Sequence, residues 1–151
     1  GTLTLPGTFV IVTLGFPYQG NLVPMRPEGG ADVGTAQGKL KQGANLVLRL
    51  VDSLGGVVGQ LSNINANGLY QDPLGSSSLT LANPEAIRYN DTTTPLDSPS
   101  PIQSGDFPVS FPSQATSEQD HRDFYILVQQ NDPFPMTVVG LYPSFKVEEP
   151  Q

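Results

Sequence analysis

The sequence contains no cysteine. A disulfide framework, a thiol nucleophile and any Cys-ligated zinc or iron-sulfur site are therefore excluded, while the redox compartment stays open. Basic residues are scarce as well: seven Lys and Arg against fourteen Asp and Glu leave a net charge of -7 and a pI near 4.3. Such a chain repels the phosphate backbone, so the usual electrostatic basis for nucleic-acid binding is missing. No apolar run approaches the roughly 20 residues of a membrane-spanning helix. The opening Gly1-Thr2-Leu3-Thr4 has neither an initiator Met nor a charged signal n-region, which reads as an excised fragment or a processed product. Charged residues of both signs reach only 14%, and Ser, Thr, Asn and Gln carry the polarity in their place. A surface of that kind tolerates contact, because its groups pair across an interface without desolvating a full charge.

What is abundant is glycine and proline, 16 and 15 of 151 residues. They are the two worst helix formers, and they interrupt almost every stretch long enough to be a helix, so a helical bundle is ruled out. The length suits one domain with a core of ordinary size. The expectation is a single all-β domain over residues 1–151, barrel-like or a sandwich, with long Gly/Pro-rich loops, and a piece of a larger structural protein.

Three strong strands are expected. Thr8 to Phe16 holds the β-branched run Phe9-Val10-Ile11-Val12-Thr13-Leu14, too unbroken for a half-exposed strand and too short for a buried helix, so it reads as buried on both faces. Ala44 to Asp52 alternates, with Leu46, Leu48 and Leu50 on the core face. Asp52-Ser53-Leu54-Gly55-Gly56 then supplies turn chemistry, and Val57 to Leu61 returns antiparallel as a hairpin. Asp123 to Gln130 alternates Phe124, Ile126 and Val128 against Tyr125 and Leu127. Beyond the turn Asn131-Asp132-Pro133-Phe134-Pro135, Met136 to Phe145 answers it as a partner strand. Weaker strand candidates are Ser78 to Ala82, Ala86 to Asn90 and Phe107 to Phe111. Gly20 to Gly43 reads as a long loop with one extended edge segment. Residues 92–101 read as a surface excursion with little apolar surface to offset ordering. Gln114 to Arg122 forms at most one or two helical turns, and there is no internal repeat.

Four constellations invite chemistry. Asn63-Ile64-Asn65-Ala66-Asn67-Gly68 with Asp72 echoes a calcium loop, but position 1 is a neutral Asn and position 12 is Leu74 where a bidentate Glu is needed. An Asn/Gly turn accounts for it better. His121, in Asp120-His121-Arg122-Asp123, has the makings of a general base beside an acid. With no second His for a metal and no nucleophile elbow, a solvated charge cluster is the favoured reading, and His121→Ala is expected to leave function intact. Asn90-Asp91-Thr92 fits the N-glycosylation pattern, for which chance suffices. Lys39, Lys41 and Arg49 lie close along the chain and suit an anion, or merely an exposed strand entrance. No catalytic, metal or cofactor site emerges, and an enzyme is not expected.

Several segments, taken in order, resemble a known family. They are Gly15-Phe16-Pro17-Tyr18, then Gly34-Thr35-Ala36-Gln37-Gly38-Lys39 with Lys41, then Val47 to Ser53 with Val58-Gly59, and finally Asp132-Pro133-Phe134-Pro135-Met136-Thr137-Val138. Their order and chemistry resemble the C-terminal part of the tail nozzle, or tail tubular, proteins of short-tailed bacteriophages. The resemblance covers Phe9 to Val58 and Phe124 to Val139. Family members are more basic after the Gly-Thr-Ala-Gln-Gly segment, where this chain has Leu40, Gln42 and Gly43. As architecture, Gly15, Pro17 and Tyr18 turn a corner and place an aromatic there. Gly34 and Gly38 permit close backbone approach, and Asp132, Pro133 and Pro135 fix a stiff turn.

The resemblance implies a virion structural protein in the phage tail: six copies in a ring, beside other tail proteins, around a channel through which DNA is ejected. An acidic domain with seven bases would pass DNA without holding it, and no membrane span or cofactor is expected. The runner-up is a carbohydrate- or receptor-binding β-sandwich module, to which the polar surface and long loops are equally suited. A small hydrolase built on His121 is a third reading.

Overall fold

The computed structural model describes residues 2, 4, 6–8, 12, 14–16, 18–25, 30–31, 34–35, 40–61, 81–90, 95, 99–110 and 125–148. Among these every regular element is a strand: β1 (Gly20–Leu22), β2 (Gly30–Ala31), β3 (Gly34–Thr35), β4 (Leu40–Ser53), β5 (Val57–Leu61), β6 (Leu81–Ala86), β7 (Gln103–Ser110), β8 (Ile126–Gln130) and β9 (Thr137–Glu148). Two antiparallel sheets face each other, one in the order β1-β8-β5-β6 and one in the order β7-β4-β9, with β2 and β3 forming a small separate ribbon. Neither sheet closes into a barrel, so the fold is an all-β sandwich.

The Leu alternation of β4 builds the core. Leu46, Leu48 and Leu50 are fully buried and meet Phe107 and Val109 of β7 and Val58, Ile126 and Val128 of the opposite sheet. A side-chain period of two sends the intervening Asn45, Arg49 and Val51 to the outside. In β8 the alternation is overruled: Ile126 to Gln130 are buried on both faces. Leu127 joins Leu61 in a second cluster with Val23, Leu81 and Tyr125 on the outer side of that sheet. Phe124 lies outside the described residues.

The two expected hairpins do not form. β5 pairs with β6 and β8, not with β4, and β9 pairs with β4, not with β8. Both connections carry the chain from one sheet to the other. The registers show why this is stable. Val51 stands opposite Thr137, the Leu54 N–H donates to the Pro135 carbonyl at 3.0 Å, and Val57 stands opposite Gln129. The ladder of β4 with β9 thus continues as the ladder of β5 with β8. One long two-stranded ribbon is folded over once, at residues 52–56 and 131–136, and its two arms become parts of the two sheets. Corners made by strands that switch sheets are a known solution for closing a sandwich over its core.

The apolar run near the start also departs from expectation. Val12, Leu14 and Phe16 are exposed and belong to no strand, while residues 9–11 and 13 lie outside the described residues. The place beside β8 is taken instead by β1, through Gly20–Gln130, Asn21–Gln129 and Leu22–Val128 pairing. High β-propensity alone does not bury Val12, Leu14 and Phe16. β1 supplies the edge segment expected within Gly20 to Gly43, and β4 begins at Leu40, earlier than Ala44.

Proline placement follows the topology. β6, β7 and β9, each at the border of its sheet, carry Pro84, Pro108 and Pro143, whereas the inner strands β4, β5 and β8 carry none. A proline cannot donate to a ladder, so it is tolerated at an edge and blunts that edge against a further strand.

Candidate interaction site at the sheet corner

The folded ribbon needs its backbone groups satisfied where the ladder is interrupted, and a small set of polar side chains does this. Gln130 is buried; its Nε2 donates to the carbonyls of Leu54 (2.8 Å) and Phe134 (3.2 Å), and its Oε1 accepts from the Asp132 N–H (3.2 Å). Ser53 Oγ accepts from the Thr137 N–H at 2.9 Å and donates to the Val51 carbonyl at 2.8 Å. Tyr89 Oη donates to the Gly55 carbonyl at 2.8 Å, and burial pushes its pKa up to about 12. Asp52 sits at φ 45, a conformation that costs a β-carbon-bearing residue; Ser104 Oγ compensates by accepting from its N–H (2.9 Å) and donating to its carboxylate (3.2 Å). Each of these groups is engaged in holding the corner.

The structure brings two of the sequence motifs together here. A Cβ at Gly15 would run into the Pro133 ring, and the Tyr18 hydroxyl donates to the Phe134 carbonyl. Gly15 and Tyr18 therefore pack on the Asp132–Pro135 turn from more than a hundred residues away in sequence. Pro135 contributes the carbonyl that receives Leu54. Gly34 lies in β3 opposite Ala31; Pro17 and Gly38 lie outside the described residues. So do His121, the 63–74 loop, Lys39 and the Gln114 to Arg122 segment. Asn90 is exposed, and its Oδ1 accepts from Ser100 Oγ at 2.7 Å. Within 92–101, Pro95, Pro99 and Pro101 are exposed.

Gln130, Ser53 and Tyr89 are the residues that sequence reading passed over. Two Gln ending an apolar strand just before a Pro-rich turn were the available sign.

Two surface features flank the corner. On the β6 side an open groove of about 540 Å³ is lined by Leu54, Ile87, Tyr89 and Phe134 together with Arg88 and Ser100. On the β1 side a smaller cavity of about 270 Å³ lies between Tyr18, Leu22, Met136 and Val138. Farther away, on the outer face of the β7-β4-β9 sheet, Arg49 is held by Asp106 through two 2.8 Å hydrogen bonds and lies 5.4 Å from the Tyr142 ring centre. The Arg49 guanidinium lowers the Asp106 pKa, chiefly through those hydrogen bonds. Arg49 is thus committed to a partner within its own sheet. Among the described residues no cluster of His, Asp or Glu is arranged to hold a metal ion.

Compared with protein-family models, with curated proteins and with solved structures, the chain matches none.

Proposed function

We propose that the chain is a structural component of a phage tail nozzle, one of six copies in a ring that lines or supports a DNA conduit. The observation that carries this reading is convergence. Of the four segments that resemble nozzle proteins, three meet at the folded corner: Gly15 and Tyr18 pack on Pro133 and Phe134, and Ser53 is tied to Thr137. Residues that turn a ribbon and fasten its arms are those an architectural protein needs. Among the described residues at the corner, the side chains of Gln130, Ser53 and Tyr89 are spent on holding backbone.

The net charge of -7 supports a conduit that lets DNA slide, since each phosphate neutralised by a basic side chain adds salt-dependent attraction. The test is to express the full-length protein with neighbouring tail proteins and image the product by cryo-electron microscopy. Rings are expected, with no binding of this domain to duplex DNA by anisotropy titration at physiological salt. A protein that stays monomeric in that setting removes the nozzle reading, and tight duplex binding removes the slippery conduit.

A further inference from the structure

We infer that the inner faces of the two sheets also form a docking surface for a second copy of this chain. The corner at residues 52–56 and 131–136 opens as a hinge, and each copy lays one arm of its ribbon on the opposite arm of the other. This exchange does not depend on the ring reading; its premise is the folded ribbon alone.

Both short connections cross between the sheets at the same place, and among the described strands none of one sheet is paired with a strand of the other. Swinging the β5–β8 arm away from the β4–β9 arm therefore breaks no strand pairing. The other links between the sheets are residues 23–39, 87–102 and 111–125. At ~3.3 Å per extended residue each reaches on the order of 50 Å, so each can follow the arms apart. Opening uncovers Leu46, Leu48 and Leu50 on one arm and Val58, Ile126 and Val128 on the other. Apolar surface of this kind is driven back under cover. A second opened copy offers the complementary face with every contact already fitted, and two copies that exchange arms rebuild two complete sandwiches.

Closed and exchanged forms differ only at the corner. The closed corner requires positive φ at Asp52, Gly55 and Gly56, a conformation that an extended chain gives up. Pro133 and Pro135 do not oppose opening, because proline holds φ at about −65°, which an extended chain also uses. A short hinge under strain is what invites exchange between copies. Against opening stand the Gln130 amide on the Leu54 and Phe134 carbonyls, the Ile87 N–H on the Gly56 carbonyl at 3.1 Å, and the Tyr89 hydroxyl on the Gly55 carbonyl. These few bonds set the balance, since the core contacts are the same in both forms. Association adds its own entropic cost, so dilute protein stays closed.

The test is to unfold the full chain, refold it at low and at high concentration, and follow its mass by size exclusion with light scattering. Wild type is expected as a monomer when dilute, with a minor dimer when concentrated. Gly55→Val together with Gly56→Val strains the closed corner but suits an extended strand. That variant should raise the dimer-to-monomer ratio about tenfold or more at unchanged far-ultraviolet circular dichroism. Leu48→Ala weakens contacts that both forms share, so it should lower the thermal midpoint and leave the ratio as in wild type. An exchanged dimer also persists on dilution in the cold and returns to monomer only after unfolding. Corner variants that stay monomeric, a dimer that falls apart at once on dilution, or a shift from Leu48→Ala as large as the corner's would each overturn the exchange. Should the double glycine variant not fold, Gln130→Leu, which loosens the same corner, must raise the ratio, and a strictly monomeric Gln130→Leu overturns the exchange equally.

Discussion

The two chain segments that turn the corner do so by opposite means. Residues 52–56 rely on conformational freedom: Asp52, Gly55 and Gly56 all have positive φ, at 45°, 76° and 92°. Residues 131–136 rely on restraint, with Pro133 and Pro135 fixing φ and no positive φ among the non-glycine residues there. One arm supplies a shape that few residues can adopt, and the other a shape that is set before folding begins. What joins them is hydrogen bonding, from Leu54 to Pro135 along the backbone and through the Gln130 amide, which contacts both. The difference teaches where the corner is vulnerable: most at the shared amide, next at the arm that needs glycine, least at the arm that proline stiffens.

The largest effect should come from Gln130→Leu. The replacement keeps the volume but removes the amide from the Leu54 carbonyl and the Asp132 N–H, while the Phe134 carbonyl keeps the Tyr18 hydroxyl, and an unsatisfied buried polar group costs ~1–3 kcal/mol. Groups in one network do not add independently, so a total of about 3 kcal/mol is expected. Urea unfolding should show a lowered midpoint at unchanged slope. A loss below about 1 kcal/mol would mean that the arms are held by packing instead of by the amide.

A comparison of Gly56→Ala with Pro133→Ala sharpens the asymmetry. At φ 92 an added Cβ costs roughly 1–2 kcal/mol in backbone strain. The Met136 methyl it would also meet is the free end of a flexible side chain and can swing aside. Pro133→Ala only restores freedom to the unfolded chain, worth ~0.4–1 kcal/mol. Thermal melts of both variants should rank them in that order, and equal losses would erase the distinction between the arms.

This corner also explains how much could be read in advance. The Leu46, Leu48, Leu50 alternation was legible because a period of two marks a core face wherever the strand goes. β7 was legible in part from Phe107 and Val109. Gly55-Gly56 and Pro133-Phe134-Pro135 were recognisable as turns, and turns they are. What local chemistry lacks is any sign of whether a turn returns a strand to its own sheet or delivers it to another. That choice is made by Val51 meeting Thr137 and Val57 meeting Gln129, pairings of residues more than seventy apart. Val12, Leu14 and Phe16 show the same limit: their composition gives propensity, yet they are exposed and belong to no strand. Of the corner's fastenings, the Pro-rich turn was visible; Gln130, Ser53 and Tyr89 were not, since their roles depend on carbonyls that only the fold brings near.

The effect that depends on pH belongs to Tyr89, which tethers the glycine arm alone. Its hydroxyl donates to the Gly55 carbonyl only while protonated, and burial raises its pKa to about 12, above the ordinary value near 10. The folded protein thus keeps a proton between about pH 10 and 12 that the unfolded chain has released. The sign follows from linkage: the stabilisation is fully present below about pH 10 and is lost as pH rises through the folded pKa. Tyr89→Phe should cost about 1 kcal/mol at pH 7, the worth of one hydrogen bond. Above about pH 10 the gap between variant and wild type should narrow, because the wild type loses what the variant never had. Melts at about pH 7, 9 and 11.5 would check this, and curves that fall in parallel would show that the Tyr89 hydroxyl does not hold Gly55, leaving the glycine arm fastened by Gln130 and the backbone alone.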